Sequence, residues 1–139
     1  MSYRKKWKSV DWKLASDIKR RAIHLIKILK IEWIDPNRIF YFRSENSQSR
    51  AYARIWGLSR IWQIALKSEA TYIIEVLSEK FDKLSEKEQD RVLLHELAHI
   101  PKNFSGSLLP HVRRHGKRNF HDRVEELFAQ YLKRVRRSV

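Results

Sequence analysis

The stretch Leu93 to Pro101, LLHELAHIP, constrains this chain more than any other, because His95, Glu96 and His99 stand in the pattern H-E-x-x-H. On an α-helix two histidines four residues apart lie on one face, so both imidazoles reach a single ion. Zinc suits them, since it accepts neutral imidazole nitrogens tetrahedrally and leaves room for a third ligand and a water. Glu96 beside the first histidine is the candidate general base for that water. The bland alternative is a solvated surface helix. Against it, Val92, Leu93, Leu94, Leu97, Ala98 and Ile100 make the stretch apolar, and an unpartnered His-Glu-His stripe is costly to bury there.

A helix of this kind needs a body to hold it. The 139 residues suffice for one domain with a real core, and 42% hydrophobic content with only three Gly and three Pro argues for a packed globule over residues 1–139. No apolar run reaches the roughly 18 residues that span a bilayer, and the N-terminal MSYRKKWKSVDWK has no signal-peptide core. The expectation is a cytoplasmic protein with no membrane partner. With no cysteine in the chain, disulfides, thiolate ligands and a thiol nucleophile are excluded together, and any metal must be held by His, Asp or Glu.

The net charge of +14 sits at the two ends. Residues 1–30 carry ten Lys/Arg against two acids and residues 101–139 carry ten against three, whereas the middle carries ten against eleven. Such an excess is either a solubilising surface or the footprint of a polyanion such as nucleic acid, with Tyr3, Trp7 and Trp12 available to stack on bases.

Periodicity supplies the elements. Leu14, Ile18, Ala22, Leu25, Ile26 and Leu29 predict a first helix over Asp11 to Ile34, stopped by Asp35-Pro36-Asn37. Arg38 to Arg43 reads as a strand and Ser44 to Ser49 as a polar loop. Ala51 to Leu66 fits either state; the frequent Ile and Trp and the interrupting Gly57 favour two strands, Ala53 to Leu58 and Arg60 to Leu66. Thr71 to Ser78 is the clearest strand, and its stretch from Tyr72 is a candidate sheet edge for an extended peptide. Ser85 with Glu88 forms a capping box for the H-E-x-x-H helix. After Pro101 a loop follows, and Val124, Leu127, Phe128, Tyr131, Leu132 and Val135 mark a final helix from His121. The plan is α+β: an N-terminal helix, a short sheet of three or four strands, the H-E-x-x-H helix and a C-terminal helix.

A third ligand must return to the helix from beyond Pro101. The candidates are His111, His115, His121, Glu125 and Glu126. Gly116 permits a tight turn that could aim His115, and Pro110 could present His111 just as rigidly. His24, isolated on the first helix, reads as an ordinary packed or surface residue.

The segments LLHELAHIPKNFSGSL, the following His115-Gly116 and RVEELFAQYL resemble the metallopeptidase family of phages and archaea, a zincin-like group, over about Arg38 to Leu132. The His-Gly pair also resembles SprT-like proteases, in which this histidine is the third zinc ligand. The resemblance implies a small zincin-like domain that hydrolyses peptide bonds, with His95, His99 and His115 on zinc, Glu96 as base and a protein or peptide as substrate. The alternative is a basic nucleic-acid-binding module with a structural or vestigial metal site, using the basic ends and Arg113, Arg114, Lys117 and Arg118.

Overall fold

The computed structural model describes residues 8–111 and 119–137. Its architecture is α+β. A four-stranded mixed sheet of β1 (Asp11–Leu14), β2 (Ile39–Glu45), β3 (Ala53–Gly57) and β4 (Tyr72–Leu77) has the order β1-β2-β4-β3. Around it lie α1 (Ser16–Ile28), α2 (Arg60–Leu66), α3 (Ser78–Phe81), α4 (Glu86–Ala98) and α5 (Phe120–Arg137). β2 and β4 pair in parallel, while β1 and β3 are antiparallel to their neighbours.

Alternation along the strands separates the two faces of the sheet. Ile39 and Tyr41 of β2, Tyr72, Ile74 and Val76 of β4 and Ala53 of β3 are buried, and they cluster with Ile18, Ala22 and Leu25 of α1, Leu93, Leu94 and Leu97 of α4 and Phe128 and Tyr131 of α5. The helices therefore share one face of the sheet. Arg21 pins α1 to the N-terminal half of α4, donating to Gln89 Oε1 at 2.6 Å, Asp90 Oδ1 at 2.7 Å and the Glu86 carbonyl at 2.9 Å.

Three expectations need correction. The first helix begins at Ser16, and Asp11 to Leu14 form β1 opposite Glu45 to Phe42. Leu14 is in helical phase with Ile18 yet stays exposed, so periodicity alone extended the helix one turn too far. At its other end α1 stops at Ile28, and Lys30 takes a left-handed φ of 52°. The stretch Arg60–Leu66 is α2 rather than a strand. Its one buried side chain, Gln63, donates to the carbonyls of Leu58 at 2.7 Å and Ser105 at 2.9 Å, a polar anchorage that an apolar pattern cannot reveal. Finally, β4 is paired on both sides and β3 is the edge strand, so an extended ligand cannot add to Tyr72–Leu77. The strand pattern over Ala53 and the cap at Ser85, whose Oγ accepts from the Glu88 N–H at 3.2 Å, hold as expected.

Beyond α4 the chain doubles back as a strap, 101–111, whose path is fixed by close backbone approach. Gly106 has φ of 93°, and a Cβ there would meet the Leu58 carbonyl oxygen at 2.2 Å; one at Gly57 would meet the Gly106 oxygen at 2.1 Å. The Tyr72 hydroxyl accepts from the Gly106 N–H and donates to the Ser107 carbonyl, both at 2.8 Å. Central strand and strap are thereby locked together. α5 starts from a reciprocal cap, in which Asn119 Oδ1 accepts from the Asp122 N–H at 2.8 Å and Asp122 Oδ2 accepts from the Asn119 N–H at 3.4 Å.

Candidate metal centre

His95 and Glu96 lie in the last turn of α4, and His99 is its C-cap. The strap brings His111 onto the same point. The ligand atoms of His95, His99 and His111 all lie within 4.8 Å of one another. His95 Nε2 is 3.3 Å from His99 Nε2 and 2.8 Å from His111 Nε2. Two nitrogens each about 2.0–2.1 Å from a tetrahedral ion stand about 3.3 Å apart, so the first pair already has the separation of a shared coordination shell. The three imidazoles are placed to hold one metal ion.

Their protonation suits that role. Burial pulls His95 down to about 4, with the neighbouring imidazoles adding to the shift. Burial also lowers His99, against the opposing effect of its bond to Leu109. Both rings are neutral at pH 7, as ligation requires. In a neutral His99 the 2.6 Å contact between Nδ1 and the Leu109 carbonyl can only be a bond that Nδ1 donates, which leaves the Nε2 lone pair facing the site. The strap holds this carbonyl through a second bond, from the Leu109 N–H to the His99 carbonyl at 2.7 Å.

Phe120, the first residue of α5, touches all three rings. It stacks on His99 at 4.2 Å between centroids and meets His95 and His111 edge-on at 4.9 Å each. Sequence reasoning missed it, because Phe120 precedes the apolar periodicity of the last helix. It missed the Leu109 carbonyl as well, since backbone acceptors carry no residue signature.

The imidazoles lie in a cleft of about 760 Å³ lined by β3, α4, the end of the strap and the start of α5. Glu96 is in the same wall, buried, and desolvation pushes its carboxyl up to about 8. Among the other candidates, His121 and Glu125 line the cleft without joining the converging ligand atoms, and Glu125 is ion-paired with Arg91 at 3.4 Å. Glu126 is not part of the lining. His115, the expected third ligand, lies outside the described residues, as do Arg113, Arg114, Lys117 and Arg118. His24 is exposed and meets Tyr131 edge-on at 6.1 Å, an ordinary surface contact.

None of the described helices is long and apolar enough to cross a membrane. No curated protein and no solved structure gives a significant match to this sequence. A family model described as "Putative phage metallopeptidase" matches residues 10–139, and the chain belongs to that metallopeptidase family.

Proposed function

We propose that the protein is a zinc-dependent metallopeptidase of the zincin type, with His95, His99 and His111 as ligands and Glu96 as general base. The observation that carries this reading is the convergence of three imidazoles at a cleft wall that also bears the buried carboxyl group of Glu96. An all-nitrogen donor set without cysteine suits zinc, and three protein ligands leave a position for water. Bound zinc supplies Lewis-acid chemistry, polarising the scissile carbonyl and acidifying water.

The chain's own residues do the rest. Glu96, buried in the same cleft wall, takes the proton of the attacking water and delivers it to the leaving amine nitrogen. Leu109 keeps His99 in one tautomer, and Phe120 shields the imidazoles on its side. Among the described residues β3 pairs only with β4, and its residues Ala53–Trp56 line the cleft. An extended peptide can add to its free edge, so β3 takes the substrate-aligning role expected of Tyr72 to Ser78. Ile55, Trp56, Leu108 and Val124 in the lining favour apolar side chains beside the scissile bond.

The test is zinc titration by calorimetry. Wild type should bind one zinc per chain and His99→Ala should lose it; full occupancy in the variant would remove the ligand assignment.

A further inference from the structure

The face of the sheet turned away from the helices carries a second set of residues, of which only Arg54 and Trp56 also line the metal cleft. The strand register places Phe40, Ile73 and Trp56 in one row across β2, β4 and β3, and Leu14, Phe42, Glu75 and Arg54 in the next. Trp12 stands opposite Ser44 on the same face. Trp12, Phe40 and Trp56 are 56%, 52% and 49% exposed, far more than aromatic side chains that serve a core. Between them Trp12, Phe42, Trp56, Ile73 and Glu75 line a groove of about 300 Å³.

The sole acid that the strands place on this face is Glu75, and it is only 1% exposed. Its carboxylate accepts from Trp56 Nε1 at 3.0 Å and Arg54 Nη2 at 3.1 Å, and the Arg54 guanidinium lies 5.1 Å from the Trp56 ring centroid. Burial works to raise the Glu75 carboxyl, but its hydrogen-bond donors outweigh this and hold it below the usual carboxylate range. The buried charge is therefore matched by Arg54 and presents no repulsion to an anion. It also fixes the plane of the Trp56 indole. The outcome is a floor of exposed aromatic rings, free of uncompensated acid and with one ring held in place.

Charge says what such a floor is for. The chain carries +14, and in sequence Arg4, Lys5, Lys6 and Lys8 precede the edge strand that bears Trp12 with no acid among the first eight residues. An apolar protein partner would use the rings and leave this excess idle. A polyanion with flat apolar faces uses both, because stacking on aromatic side chains is open only to unpaired bases while the phosphates meet the cations.

We infer that the open face of the sheet binds single-stranded nucleic acid, with Trp12, Phe40 and Trp56 as stacking platforms. The site lies across the sheet from the helix layer that carries the three histidines, and it binds whether or not the metal site is loaded. It differs from attachment through the basic ends alone in one respect: the rings carry part of the affinity.

Fluorescence anisotropy of a labelled oligothymidine of about 20 nucleotides tests this on the full chain at low and moderate salt, beside a duplex of the same length. Wild type should prefer the single strand, and binding should weaken as salt rises. Trp12→Ala and Phe40→Ala, both at exposed positions, should each lower affinity about 5- to 100-fold while thermal melts stay at the wild-type midpoint. Equal affinity of both variants and wild type, or equal affinity for duplex, would mean binding by charge alone and would overturn the proposal. So would absence of binding at low salt. Sedimentation without nucleic acid supplies the last arm: a wild-type dimer that either variant converts to monomer would make the face a self-interface instead.

Discussion

His99 is asked to do two things with one ring, and its Nδ1 bond to the Leu109 carbonyl at 2.6 Å is what allows both. The bond fixes the tautomer and keeps Nε2 free for an ion. In the proposed site His111 is the third ligand, so His111→Ala should cut zinc affinity by more than the roughly 10–100-fold that loss of an outer hydrogen bond costs, whereas His115→Ala should leave most of it. Parallel calorimetric titrations of the two variants check this, and the reverse order of losses would return the third-ligand role to His115. Glu96 gives a second prediction at this scale. Its carboxyl is raised by burial from 4.5 to about 8 in the metal-free protein. The folded state thus holds the proton more tightly than the unfolded one, so the contribution to stability is whole below pH 4.5 and fades as pH rises through 8, by about 1.4 kcal/mol for each pH step between those two values. Glu96→Gln cannot ionise. In chelator, its melting temperature should match wild type near pH 4.5 and exceed it by several degrees near pH 8.5. The same temperature gap at both pH values would contradict the burial argument.

Elements explain which of these residues could be read in advance. His95, Glu96 and His99 were legible because their spacing on one helix fixes their geometry without reference to anything distant. The strap was not. That His111 reaches the site depends on the turn at Gly106, on the Tyr72 hydroxyl and on the Leu109 backbone, none of which a local pattern specifies. α2 was misread for a related reason, since its docking rests on one glutamine among exposed apolar side chains. The edge role of β3 was hidden because strand order is a property of pairing and not of composition. Gly106 offers the sharpest test at this scale. Gly106→Ala puts a Cβ against backbone in a left-handed conformation, so it should destabilise the protein by about 1–3 kcal/mol and weaken zinc binding through displacement of Leu109 and His111. Chemical denaturation and zinc titration check the two effects; loss of stability with unchanged zinc affinity would uncouple the strap from the site. Tyr72→Phe should act more mildly, because it leaves the Gly106 N–H unpaired without a clash.

For the molecule as a whole, the α+β plan, the final helix and the placement of the H-E-x-x-H helix followed from sequence periodicity, since each depends on where apolar residues recur. What the pattern could not give is the division of labour between the two faces of one sheet. The buried face seats the helices that bring His95, Glu96 and His99 against the β3 edge, while the other exposes aromatic rings. The most direct test of the peptidase reading is cleavage of an unfolded protein or a peptide library by zinc-loaded wild type beside Glu96→Gln matched for metal content. The account predicts hydrolysis by wild type that chelation abolishes and zinc restores, and a variant that keeps one zinc per chain but is slower by about 10²- to 10⁴-fold. Cleavage by Glu96→Gln at the wild-type rate, or an inert wild type carrying one zinc per chain, would contradict it.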